Sequence, residues 1–440
     1  MGQRFVSGDR DQALLLPPDV REWLPEDHLA LFVIDAVEAL DLAAFCARYR
    51  RDGWGRPAYD PAVMVAVVLY AYAVGVRSAR AIERRCVEDV AFRVVAANLA
   101  PDHATIARFR AEHERALGEL FSQVLRLCQR AGLVRAGVIA VDSTKIAANA
   151  SGLANMDFDQ LAREVLEDAA RIDAAEDALY GDKRGDELPP ELVDPATRKR
   201  RLRELLGEIK AERDAEAHAR QAMLDRRAEH ERETGRRPRG RPPVEQPKPT
   251  RSRLVNVTDP DSRPVRTPRG FIQGYNAQLV AADGQVIVAA DVTTSSFDQG
   301  RLGPMVTAAR SELAAAGADR PEVVLADAGY WASRQISELQ ADGLDVLVPP
   351  DAHNRTTPSR RHRRDDHDRM RERLDSPDGA ALYRRRMIMI EPIFGQTKAN
   401  RRTDRFQRRG LDAVRSEWRL ITATHNLLKL WRAATALSTA

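Results

Sequence analysis

The chain lacks most of the features that would place a protein outside the cell or in a membrane. Its 440 residues contain three cysteines, Cys46, Cys86 and Cys128. They stand about forty residues apart, a spacing that makes neither a disulfide framework nor a metal-ligand pair. Such isolated cysteines read as small buried side chains in a reducing compartment. The first ten residues, MGQRFVSGDR, hold no apolar signal region. The most apolar window, Ala62 to Val76, is too short to span a bilayer and follows Asp60-Pro61, a helix-start pattern. His353, His362 and His367 sit in a polar, basic stretch and read as solvated, so no zinc site is expected. A soluble, cytoplasmic protein is the expectation.

What is present is charge, unevenly placed. Charged residues make up 30% of the chain and mean hydropathy is −0.45, polar values for a length that allows two or three domains and a sizeable core. Net charge is only +4, yet residues 351–419 hold 19 Lys and Arg against 11 Asp and Glu, and residues 235–253 hold seven basic residues and one acid. Basic clusters of this kind suit a polyanion such as nucleic acid, with a solvated charged face as the alternative.

Residues 1–134 read as an all-α unit, with apolar residues at helical spacing over 27–40, 60–75, 78–97 and 104–131. The Gly75–Ser78 break is one feature of a helix-turn-helix. The other is a polar cap at Asp102 followed by Arg108 and Arg110, which would place basic side chains in the first turns of a recognition helix. A packed bundle with surface arginines is the alternative. Val138–Val141 then reads as a buried strand ending at Asp142. Residues 151–234 form a charged helical insertion, and 235–253 a basic, Pro- and Arg-rich linker that cannot pack a core. Strands at 271–282 and 285–294 flank an Ala-Asp-Gly hairpin. A helix at 300–317, a strand ending at Asp327, a helix at 332–342, a strand at 344–348 and a helix at 416–433 follow. Together, residues 135–150 and 254–433 read as an α/β domain, a mixed sheet with crossover helices.

Asp142 and Asp327 share one setting: an apolar run, the acid, then small or hydroxyl residues. Sites in such sheets form at the carboxyl ends of strands. Asp291 has a similar setting and Asp298 precedes a helix, so the pattern alone does not choose among them. Glu391 and Lys398 lie seven residues apart, which on a straight helix puts both on one side, roughly 10 Å apart. Arg384 lies seven residues before Glu391, and Pro392 would start or kink that helix. Three carboxylates can hold two Mg²⁺ or Mn²⁺ ions, one activating a water or 3′-hydroxyl and one stabilising the leaving oxygen in phosphodiester chemistry.

At these residues the chain resembles the bacterial insertion-sequence transposases of the DDE class, whose catalytic domain is RNase H-like. The matching parts are PDHATIARFR at 101–110, VDSTKI at 141–146, GYNAQ at 274–278, LADAGY at 325–330, EPIFGQTK at 391–398 and THNL at 424–427. The resemblance implies Asp142, Asp327 and Glu391 as catalytic acids and metal ligands, with Lys398 beside them. A related Y-x2-R-x3-E-x6-K signature falls on Tyr383, Arg386, Glu391 and Lys398 with one extra residue before the glutamate, so Arg384, Arg385 and Arg386 all remain open for its arginine. Arg384 and Arg386 are candidate DNA contacts. Trp331 is a candidate for stacking an unpaired base, with core packing as the alternative. In the linker, Arg239-Gly240-Arg241 looks like a minor-groove hook. The implied function is a transposase that binds the terminal inverted repeats of an insertion sequence and cleaves and joins double-stranded DNA, as a homodimer because two ends must be synapsed. The alternatives are a DNA-binding protein that has lost catalysis and a structure-specific endonuclease.

Overall fold

The computed structural model describes residues 20–49, 58–150, 155–156, 195–235, 255–256, 258–268, 270–350 and 365–438. Arg239, Gly240 and Arg241 therefore lie outside the described residues, as does nearly all of the linker.

The N-terminal helices follow from capping and burial. Helix α1 spans Leu29–Glu38 and a short α2 spans Ala43–Cys46. Helix α3, Pro61–Ala73, begins at Asp60, whose carboxylate accepts from the Ala62 N–H at 2.8 Å, with proline in the first turn. Every residue from Met64 to Ala73 is buried, so α3 is apolar all round and forms the centre of the bundle. The expected helix at 78–97 is two, α4 (Ala79–Glu88) and α5 (Val90–Val95), because Asp89 caps the second through the Ala91 and Phe92 N–H groups. The expected helix at 104–131 is likewise two, α6 (His103–Glu112) and α7 (Glu114–Arg130), broken at His113, which is buried among Phe45, Tyr49 and Phe109. Of the cysteines, Cys86 and Cys128 are buried as expected. Cys46 is exposed, since it ends a single-turn helix whose buried contact is Phe45.

The sheet has six strands: β1 (Arg135–Ala147), β4 (Arg263–Thr267), β5 (Gly270–Asp283), β6 (Ile287–Thr293), β7 (Val323–Ala326) and β8 (Asp345–Leu347). Its order is β4-β5-β1-β7-β8, with β6 also paired to β5. The β1, β7 and β8 pairings are parallel and the rest antiparallel. The β5–β6 hairpin turns on Gly284 and Gln285, at φ +75° and +65°, the two left-handed positions that a tight hairpin needs. Two short strands, β2 (Asn155–Met156) and β3 (Val255–Asn256), pair with each other. They bring together the two ends of residues 157–254, within which the described part is one long helix, α8 (Pro195–Thr234), and the residue after it.

Helix α9 (Leu302–Ala316) joins the hairpin to β7, and α10 (Ser333–Ala341) joins β7 to β8. Then come α11 (Asp365–Asp375), α12 (Pro377–Gly395) and the C-terminal α13 (Leu411–Ser438). The fold is thus a mixed α/β sheet with crossover helices, preceded by a helical region, consistent with the RNase H-like expectation. The two regions share one core. Helix α7 buries Leu117, Leu120, Phe121, Val124 and Leu125 at helical spacing against α13 and α9. Ser416 donates to the Glu114 carbonyl at 2.6 Å, and a buried Arg77–Glu417 pair at 3.0 Å ties the two regions together. No helix among the described residues is long and apolar enough to cross a membrane.

Candidate active site

Strand β1 does not end at Asp142; it runs on to Ala147, held by antiparallel pairing to β5 as far as Gly274. What ends there is its other neighbour. The parallel β7 ladder runs from Val138 opposite Val323 to Val141 opposite Ala326. The next residues on the two strands are Asp142 and Asp327, which therefore emerge side by side where β7 leaves the sheet. This is the carboxyl-end notch in which sites of open α/β sheets form. Asp142 accepts from its neighbour Ser143 N–H at 2.7 Å, and Asp327 caps the following turn through the Gly329 N–H at 3.0 Å. By contrast, Asp291 lies away from the notch, paired with Arg415 at 3.1 Å.

Helix α12 supplies the rest. Arg386 donates to Asp142 at 2.8 Å and stands 4.0 Å from the Glu391 carboxylate. Tyr383 lies beneath it, its ring centre 6.0 Å from the guanidinium and its hydroxyl donating to the Ala326 carbonyl at 3.3 Å. Of the three candidate arginines, Arg386 is the one brought to the aspartates. Arg385 pairs instead with Asp283, and Arg384 is exposed. Pro392 neither starts nor ends the helix. The Ile388 carbonyl, which a proline four residues on cannot bond, accepts from the Gln285 side chain at 3.0 Å. The helix then widens into a π turn at Gln396–Asn400. The straight Glu391–Lys398 stripe expected from sequence is therefore interrupted, and Lys398 donates to the Lys145 carbonyl on β1 at 2.9 Å.

Burial dominates the electrostatics. It pushes the Asp142 carboxyl up to about 6; Arg386 opposes the shift and Asp327 adds to it. Asp327 is raised for the same reason, with Arg386 again opposing and Asp298 adding. Two adjacent, desolvated carboxylates with hard oxygen donors fit a divalent cation such as Mg²⁺ or Mn²⁺. Glu391 stands apart, its side chain 52% exposed with Arg386 between it and Asp142. No group of three acid, His or Cys side chains among the described residues is placed to hold a metal. The aspartate pair thus fits such an ion, whereas the three acids as they stand do not yet form its complete ligand set.

One acid of the site is not singled out by its sequence setting. Asp298 Oδ1 accepts from Asn276 at 2.7 Å, Gln278 at 2.8 Å and Lys145 at 3.4 Å. The Gln278 side-chain oxygen Oε1 in turn accepts from the buried Tyr330 hydroxyl. A Cβ on Gly329 would lie 3.1 Å from Asp327 Oδ1 and 3.6 Å from Asp298 Oδ2, so the two acids flank one point of backbone. The polar residues of the 141–146, 274–278 and 325–330 motifs thus meet around Asp298. Its place just before a helix was visible in the sequence; its donors, 20 and more residues away, were not.

The comparisons bear on this geometry from two sides. Residues 18–112 match a family described as Transposase domain (DUF772), and residues 349–431, which carry Arg386, Glu391 and Lys398, match one described as Transposase DDE domain. The chain is thus similar to transposases in these two segments, the second through their DDE domain. No curated protein and no solved structure matched it.

The expected DNA contacts are placed unevenly. Arg110 is buried, donating to the Arg77 carbonyl at 2.6 Å and the Tyr72 hydroxyl at 3.2 Å. It is a packing residue of the bundle, which corrects its reading as a DNA contact. Arg108 is exposed, but the cleft it lines also carries Asp60, Asp102 and Glu112, an acidic setting for a phosphate ligand. Trp331 is half-buried and meets the buried His367 edge-on, ring centres 4.7 Å apart, which is the packing alternative.

Proposed function

We propose that the chain is the transposase of an insertion sequence, binding the inverted repeats at its ends and cutting and joining double-stranded DNA at Asp142, Asp327 and Glu391. The observation that carries this reading is the meeting of Asp142 and Asp327 at the end of β7 with Arg386 and Glu391 of the segment matched as a DDE domain. Asp142 and Asp327 would hold Mg²⁺ or Mn²⁺, with Glu391 joining them. Two such ions supply an activated water or 3′-hydroxyl and stabilise the leaving oxygen.

The chain's own residues do the positioning. Arg386 holds Asp142 in place and offers a fork of donors to a phosphate that enters the notch. Lys398, fixed to the Lys145 carbonyl, puts a cation along the same strand. Joining two ends requires two active sites, so the working form is a homodimer. The test uses full-length protein, a plasmid carrying the element's ends, and Mg²⁺. Cleaved ends and joined products are expected. Nicking without joining would favour a structure-specific endonuclease, and binding without cutting a protein that has lost catalysis.

A further inference from the structure

A groove of about 1120 Å³ lies where the N-terminal helices meet the segment following the third acid. One wall is the turn from α3 into α4, with Ser78, Arg84 and Arg85; the other carries Lys398, Arg402 and Arg405. With Arg77 the lining holds six basic side chains against two acids, Glu88 and Asp404. Several of these cations are anchored. Arg77 donates to the Arg402 and Arg405 carbonyls, and Arg405 to the Ala148 carbonyl. Arg84 and Arg402 have exposed side chains.

The two walls are fitted closely together. Gly75 adopts φ +79°, and a Cβ there would lie 3.1 Å from the Arg401 backbone, so the turn needs glycine. Arg402 itself holds φ +52°, a costly conformation for a side chain of its size and one that tends to mark functional segments. Ser78, at the N-cap of α4, makes no capping bond, and its buried hydroxyl oxygen has no partner. The first N–H groups of a ten-residue helix are thus left uncapped beside the groove. Lys398 belongs both to this lining and, through the Lys145 carbonyl, to the Asp142 strand. Lys398 thus ties one wall of the groove to the strand that carries Asp142.

We infer that this groove seats the phosphodiester backbone of double-stranded DNA on its way to the carboxylates. The inference rests on the transposase reading and locates the DNA on the α3–α4 turn rather than on α6. Recognition is by charge and helix-end N–H groups, so it carries no base sequence.

The test measures binding of the full-length chain to a labelled random-sequence duplex in EDTA at several salt concentrations. Replacing Arg84 and Arg402 together by Gln removes two phosphate contacts. The log–log salt slope should then fall by about 1.8, a loss of roughly 30-fold at 0.15 M salt. The Arg84→Lys, Arg402→Lys pair should retain most of the binding and shows that the loss is one of charge and not of folding. The control pair Arg115→Gln, Arg334→Gln removes two arginines that are over nine-tenths exposed elsewhere, and it should bind like the wild type. Wild-type affinity and slope in the Arg84→Gln, Arg402→Gln variant, or an equal loss in the control, would overturn the groove assignment alone. A wild-type chain that neither binds DNA nor cuts it with Mg²⁺ would instead remove the transposase reading.

Discussion

Asp142→Asn should stabilise the protein without divalent metal and lose that advantage when metal is added. The Asp142 carboxyl, ordinarily at 3.8, is pushed up to about 6 in the folded chain, and this value already includes the help of Arg386. A raised value means that the folded state holds the proton more tightly than the unfolded one. Its stabilising effect is complete below pH 3.8 and is lost as pH rises through 6. At 1.36 kcal/mol per pKa unit, the ionised carboxylate costs about 3 kcal/mol above pH 7. Asparagine keeps the neutral form at every pH. In EDTA, the urea unfolding midpoint of Asp142→Asn should therefore match the wild type near pH 3.5 and exceed it at pH 8. A cation held by Asp142 and Asp327 would offset the cost in the wild type by about 2.7 kcal/mol at a hundred times its dissociation constant. Mg²⁺ should thus raise the wild-type midpoint and leave that of Asp142→Asn in place. A variant less stable than the wild type at pH 8 in EDTA, or an equal response of both to Mg²⁺, would refute the reasoning.

Two further outcomes follow from buried acids. Asp259 is also pushed up to about 6 by burial; its Oδ1 accepts from Tyr275 and the Gly410 N–H, and its Oδ2 has no partner. Asp259→Asn keeps an acceptor for both donors and should stabilise the chain at pH 7.5 by up to about 3 kcal/mol, a gain that urea unfolding should show vanishing near pH 3.5. Asp298→Ala leaves the Asn276 and Gln278 amides without their acceptor, at about 1–3 kcal/mol each. It should slow plasmid cleavage far more than it weakens duplex binding, with Asp298→Asn recovering part of the rate; equal losses of binding and cleavage would contradict a role at the notch.

What the sequence made legible was local. The β5–β6 hairpin rests on Asp283-Gly284 between two apolar runs, α3 on Asp60-Pro61, and β7 on an apolar run that stops at an acid, so short-range chemistry decided each. The breaks at Asp89 and His113 were hidden because an apolar periodicity runs through both; one is set by a side-chain cap and the other by aromatic neighbours. The full length of β1 was hidden for another reason. Its polar half, Ser143 to Lys145, is held by β5, which lies more than 120 residues away in sequence. Within the site, the choice of Arg386 over its neighbours depends on which face of α12 turns to β1. The burial of Arg110 is not legible in the sequence, because nothing near it reveals the Tyr72 hydroxyl and Arg77 carbonyl to which it donates.

The most direct test of the catalytic assignment compares two aspartates with similar sequence settings and different places in the fold. Full-length wild type, Asp327→Asn and Asp291→Asn are incubated with Mg²⁺ and a plasmid carrying the element's ends, and cleaved and joined strands are quantified. Asp327→Asn should bind the DNA but give neither product, while Asp291→Asn, which loses only an ion pair with Arg415, should retain both; cleavage by Asp327→Asn together with a dead Asp291→Asn would contradict the assignment.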